Sequence, residues 1–161
     1  MSVDCIARLE NAIREHVHLK VEDHEVVSKV AGFLYTSDEP GKINDYFRGQ
    51  IEAEAGATYL VGRYTSLVNK LRERVREHRA GKFVELGERN DEGYKWTAKG
   101  KEDFLLGTDA QYATQMETVA KVENLLSLLK GLREIVFARN DKLEQLSINY
   151  RREMEIDRKT H

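Results

Sequence analysis

Seven bases crowd into residues 63 to 82 of this chain, Arg63, Lys70, Arg72, Arg74, Arg76, Arg79 and Lys82, against two acids, Glu73 and Glu77. Cationic side chains at that density can hold phosphates, and each phosphate they neutralise releases counterions, so affinity falls as salt rises. At helical spacing Arg72, Arg76 and Arg79 share one flank, Arg63, Lys70 and Arg74 share another, and Leu71 and Val75 turn toward a neighbouring element. The alternative is a solvated face on which Glu73 and Glu77 pair with Lys70, Arg74 and Arg76 in surface contacts of small energy.

A second group follows. Phe83, Tyr94, Trp96 and Phe104 lie among Lys82, Lys95, Lys99 and Lys101. Rings that stack on bases, set beside cations that meet phosphates, suit a single strand of nucleic acid, which makes Tyr94, Lys95 and Trp96 further candidates. The alternative reading has Trp96 and Phe104 sealing the end of a helical pair.

Catalysis has little to stand on. The chain shows no glycine-rich phosphate loop, no nucleophile elbow and no His/Cys spacing of zinc type, and its carboxylates come singly, so no cofactor and no catalytic residue is expected. His16, His18 and His24 sit near Glu22 and Asp23, but a spacing of two splays side chains apart on a helix, which favours a plain surface over a metal cluster. The lone Cys5 allows no internal disulfide and suits a reducing compartment.

The elements that must position the basic tract are long. From Thr108 to about Asp157, apolar residues recur every three or four positions: Tyr112, Met116, Val119, Val122, Leu126, Leu129, Leu132, Val136, Leu143, Leu146, Tyr150 and Met154. Thr108 and Gln111 have capping-box spacing, which sets the expected start. A helix of about fifty residues would be about 75 Å long, so an elongated and oligomeric protein is expected, with Val122, Leu126, Leu129, Val136, Leu143, Leu146 and Tyr150 joining subunits. A second long helix is expected over 42–80, with Ile43, Phe47 and Ile51 starting its apolar face, Val61, Tyr64, Val68, Leu71 and Val75 completing the seam, a close-approach tract at Ala53 to Ala57, and Gly81 as its breaker.

Two short amphipathic helices precede it, Val3 to Val17 behind a Ser2 cap and one from Asp23 ended by Ser37 to Gly41. The connector 81–107, rich in glycine, could pair Phe83–Leu86 with Tyr94–Thr97 as a short β-hairpin around Asn90. The expected class is all-α: a small acidic lobe over 1–41, then two long antiparallel helices with coiled-coil-like packing over 42–161.

Charge follows this division. Residues 1 to 55 hold eleven acids and six bases, so one basic segment sits within a chain of net charge −2, as a localised anionic partner would require. No apolar run approaches the ~18 residues of a membrane span, and with no secretory core at the N-terminus a soluble, cytoplasmic protein is expected, in the host cytoplasm if phage-encoded.

The order Leu71-Arg72-Glu73-Arg74-Val75, a break at Gly81-Lys82, the acidic Glu102-Asp-Phe-Leu-Leu-Gly-Thr-Asp109, then a long helix with Leu126, Leu129, Ile135-Val136, Arg139 and Leu143 resembles the UvsY recombination mediators of T4-like phages. The resemblance spans about Phe47 to Tyr150. It implies an oligomeric helical protein that binds single-stranded DNA, helps displace the single-strand DNA-binding protein and loads a RecA-like recombinase. It places Arg72 and Arg74 on DNA. A different class, a non-catalytic scaffold, adaptor or phage assembly protein binding other proteins through its helical hairpin, fits the same layout without the resemblance.

Overall fold

The computed structural model describes residues 3–35 and 43–160. The expected Ser2 cap, the Ser37 to Gly41 terminator and the Met154 side chain lie outside the described residues. Five helices account for nearly all the rest: α1 (Val3–Arg14), α2 (Val21–Leu34), α3 (Ile43–Glu85), α4 (Ala98–Thr108) and α5 (Ala110–Thr160). No strand occurs among the described residues, so the chain is all-α. It divides into two compact units, the described residues of Met1–Arg63 with Leu125–His161, and Tyr64–Asn124.

In the first unit α1 packs on α2. Ile6 and Ile13 of α1 are buried with Val27, Val30, Phe33 and Leu34 of α2. The first helix ends at Arg14 rather than Val17, which is 81% exposed; the chain turns through His16, and Leu19 is the apolar residue that goes in. Asp23 does not cap α2. Lys20 holds that position without a side-chain bond, and Asp23 lies within the first turn, buried, with its carboxylate 3.1 Å from Arg63 Nε. Burial explains the difference, because a carboxylate in the interior requires a cation more than a helix end requires a cap.

From α3 this core takes Tyr46, Ala53, Ala57, Leu60 and Val61, not the expected Ile51, which is exposed, and from α5 it takes Leu125, Leu126, Leu129, Leu132, Val136 and Leu143. The small-residue tract does allow close approach: a methyl group on Gly56 would lie 3.0 Å from Val30 and 3.2 Å from Val26. Asn140, also buried, donates its Nδ2 to Glu54.

The second unit is built from the C-terminal half of α3, α4 and the start of α5. Tyr64, Val68, Leu105, Tyr112, Val119 and Val122 are its buried residues. Gly81 does not break α3, which runs on to Glu85. A glycine inside a helix costs only about 1 kcal/mol, whereas Gly87 at φ +66° takes the left-handed conformation that terminates helices and donates its N–H to Val84.

The expected hairpin reduces to one antiparallel bridge, Arg89 to Lys95, closed by Gly93 at φ +83° and by Asn90 Oδ1, which accepts from Tyr94 N. Phe83 to Glu85, read as a strand, belong to α3. The glycines at 100 and 107 disguise α4, whose start Thr97 caps by accepting from Gly100 N at 2.9 Å. Thr108 does not cap α5; its hydroxyl donates back to Phe104 O, and Asp109 accepts from Tyr112 N in its place.

Five residues expected to join subunits, Val122, Leu126, Leu129, Val136 and Leu143, are buried within the single chain. Leu146 is half-buried and Tyr150 exposed. Leu129→Ala should therefore cost about 2–5 kcal/mol in urea unfolding, and Leu129→Asp should abolish the transition rather than yield a folded smaller species in light scattering.

Candidate nucleic-acid interface

Within the second unit an open groove of about 350 Å³ lies along α3. Arg72, Arg76 and Arg79 line it together with Val75, facing Glu102 of α4 and Tyr112, Met116, Val119, Ala120 and Glu123 of α5. The three arginines meet there because spacings of four and three residues keep them on one helical flank, spanning about 10 Å along the axis. Val75, half-buried, anchors that flank.

The arginines are not equivalent. Arg72 donates its Nε to Glu123 Oε1 at 2.8 Å, and its Nη2 lies 2.8 Å from the same oxygen. Arg79 Nη1 reaches Glu102 Oε1 at 3.5 Å, and its guanidinium lies 5.9 Å from the centre of the Phe83 ring. The Tyr112 hydroxyl donates to that same Glu102 oxygen at 3.1 Å. Burial, then the adjacent Glu102 carboxylate, raises the Tyr112 phenol above its ordinary range. Arg76, exposed, has no ion pair among the described residues.

Other candidates fall elsewhere. Arg63 belongs to the first unit, where Glu22, Asp23 and the Tyr59 hydroxyl hold it; the hydrogen bond to Glu22 contributes most to raising its pKa above the usual guanidinium value. Lys70 and Arg74 are exposed and lie roughly 160° round α3 from Arg72, at about 100° per residue. Neither they nor Arg76 form the pairs with Glu73 and Glu77 that the alternative, solvated-face reading offered.

Lys82 pairs with Glu85 at 2.7 Å. Tyr94 and Lys95 are exposed on the tight turn, while Trp96 is half-buried against Phe104, ring centroids 5.4 Å apart, and none of the three lines the groove. The residues that sequence reasoning missed are Glu102, Glu123, Met116 and Ala120, which form the opposite wall. Thr97 three residues before Gly100 was the available signal for α4, and hence for Glu102.

The α4–α5 junction of this unit is held by Asp109. Asp109 Oδ1 accepts from Tyr112 N at 2.9 Å, and Oδ2 lies 2.8 Å from His78 Nε2, whose ring lies nearly parallel to that of Tyr112. The Tyr112 amide and then His78 hold the Asp109 carboxyl below the usual carboxylate range. Among the described residues no group of three or more His, Cys, Asp and Glu is placed to hold a metal ion, and no helix is long and apolar enough to cross a membrane. No family model, curated protein or solved structure matches the chain.

Asp109→Asn keeps an oxygen for the cap and Asp109→Ala does not, so in thermal melts at neutral pH the alanine variant should fall about 2–4 °C below the asparagine variant. A depressed carboxylate stabilises the fold above its unfolded value, about 3.9, and that contribution is lost as pH falls through the lower folded value. The Tm difference between wild type and Asp109→Asn should shrink below pH 4.

Proposed function

We propose that this chain is an oligomeric, non-catalytic accessory protein of recombination that binds single-stranded DNA through the α3 groove and assists a RecA-like recombinase. The observation that carries the strand-binding part is the row of Arg72, Arg76 and Arg79 on one wall of an open groove with Tyr112 and Met116 beside it. Three guanidinium groups in a row match a flexible polyanion better than a compact ligand, and the unpaired Arg76 is the first place a phosphate can settle.

The recombination part, including contacts with a recombinase and a single-strand DNA-binding protein, rests on the resemblance over about Phe47 to Tyr150. In this reading the helices form an antiparallel hairpin. Arg72 meeting Glu123 and His78 meeting Asp109 fit that direction within the second unit. Arg74 and Lys70, on the far side of α3, and Tyr94 and Lys95 would extend the contact in an assembly of several copies.

A second reading, a helical adaptor for other proteins, draws on the exposed Phe137, Ile148 and Tyr150 of α5, which offer apolar contact outside the core. The adaptor would bind by apolar burial and be indifferent to salt.

Fluorescence anisotropy of a labelled oligo-dT separates the two. Three phosphates contacted should weaken binding roughly 10- to 20-fold between about 50 and 200 mM salt, and the Arg72→Ala, Arg76→Ala, Arg79→Ala combination should lose that binding. A complex insensitive to salt, or none, favours the adaptor.

A further inference from the structure

We infer that Glu102 and Glu123 are internal competitors for the groove arginines, so that a single strand must displace two carboxylates before its phosphates reach Arg72 and Arg79. This rests on the reading of the groove as a strand-binding site and concerns how that site is regulated.

Both carboxylates come from outside the basic tract. Glu123 on α5 takes Arg72, Glu102 on α4 takes Arg79, and the nearer acids Glu73 and Glu77 on α3 itself pair with neither. The competition is therefore a property of the folded unit rather than of the local sequence. Tyr112 strengthens it on one side, because its hydroxyl holds the Glu102 oxygen that faces Arg79.

The pairs are also weak enough to open. Side-chain exposure is 60% for Arg72 and 37% for Glu123, and 41% for Arg79 and 35% for Glu102. Ion pairs that far into solvent contribute little, and a phosphate is a comparable partner for a guanidinium. Displacement is not free, since each freed carboxylate stays beside the incoming phosphate and repels it.

Within the groove a single phosphate gains only Arg76, which has no competing carboxylate among the described residues. A strand that settles there brings neighbouring phosphates to Arg72 and Arg79 and can displace both carboxylates together. The groove thus selects a connected polyanion over an isolated phosphate.

The test compares wild type with the Glu102→Gln, Glu123→Gln double variant in anisotropy titrations of labelled oligo-dT at several salt concentrations. Glutamine keeps the shape and an acceptor for Tyr112, and circular dichroism checks the fold. The double variant should bind about 3- to 10-fold tighter, while its slope of log affinity against log salt stays near that of wild type, because the same three phosphates are neutralised. A Glu73→Gln, Glu77→Gln variant carries the same charge change outside the groove and should gain clearly less.

Equal affinity for wild type and the groove variant would overturn the inference while leaving strand binding intact, as would an equal gain in the Glu73, Glu77 variant. Salt-sensitive binding by the groove variant alone would overturn the proposed function and the inference with it, because the native carboxylates would then exclude the strand rather than yield to it. Binding by neither would overturn both the inference and the proposed function.

Discussion

An arginine held 2.8 Å from a glutamate at the rim of an open groove is the interaction on which this account turns. Buried, such a pair would be fixed, because separating it would strand a charge in the interior. In solvent it orders a long side chain without committing it. Arg63 is the contrast within the same chain: its partner Asp23 is buried, and that pair belongs to the core of the first unit. The seven bases of one sequence segment are thereby sorted by the exposure of their partners into structural, competed and uncommitted groups.

Positioning that rim falls to apolar burial elsewhere in the second unit. Tyr64, Val68, Tyr112 and Val119 fix the two helices whose flanks carry the arginines and Glu123, and Leu105 fixes α4, which carries Glu102. Asp109 sets where α4 stops and α5 starts, since its two oxygens serve the Tyr112 amide and His78 at once. Tyr112 links the layers: its ring is core, its amide is capped, and its hydroxyl steers Glu102.

Much of the helical framework was legible because hydrophobic period survives without context. The α5 stripe from Tyr112 to Leu143 and the Val61, Tyr64 and Val68 seam of α3 are buried as their spacing implies. Arg72, Arg76 and Arg79 fell on one flank for the same reason. The errors arose where tertiary context decides between local signals. Glycine is ambiguous at 81, 87, 100 and 107, and only the positive φ at Gly87 distinguishes a stop from a tolerated interior residue. Thr108 and Asp109 are adjacent cap types, and His78 favours the second. Of the stripe assigned to subunit contacts, Val122 to Leu143 is covered by the chain itself, since a long helix can be covered by several neighbours as well as by a copy, whereas Tyr150 stays exposed. Glu102 and Glu123 were not legible as a wall, since nothing local ties them to bases more than twenty residues away.

The central claim is that the strand is held first by the α3 flank facing the groove, ahead of the far side. Guanidinium Nε–Hε resonances of Arg72, Arg74, Arg76 and Arg79, followed by NMR as unlabelled oligo-dT is added, report this directly. The account predicts that Arg76 shifts first, that Arg72 and Arg79 follow as their carboxylates are displaced, and that Arg74 shifts least. Shifts dominated by Arg74, or none at any of the four, would contradict it.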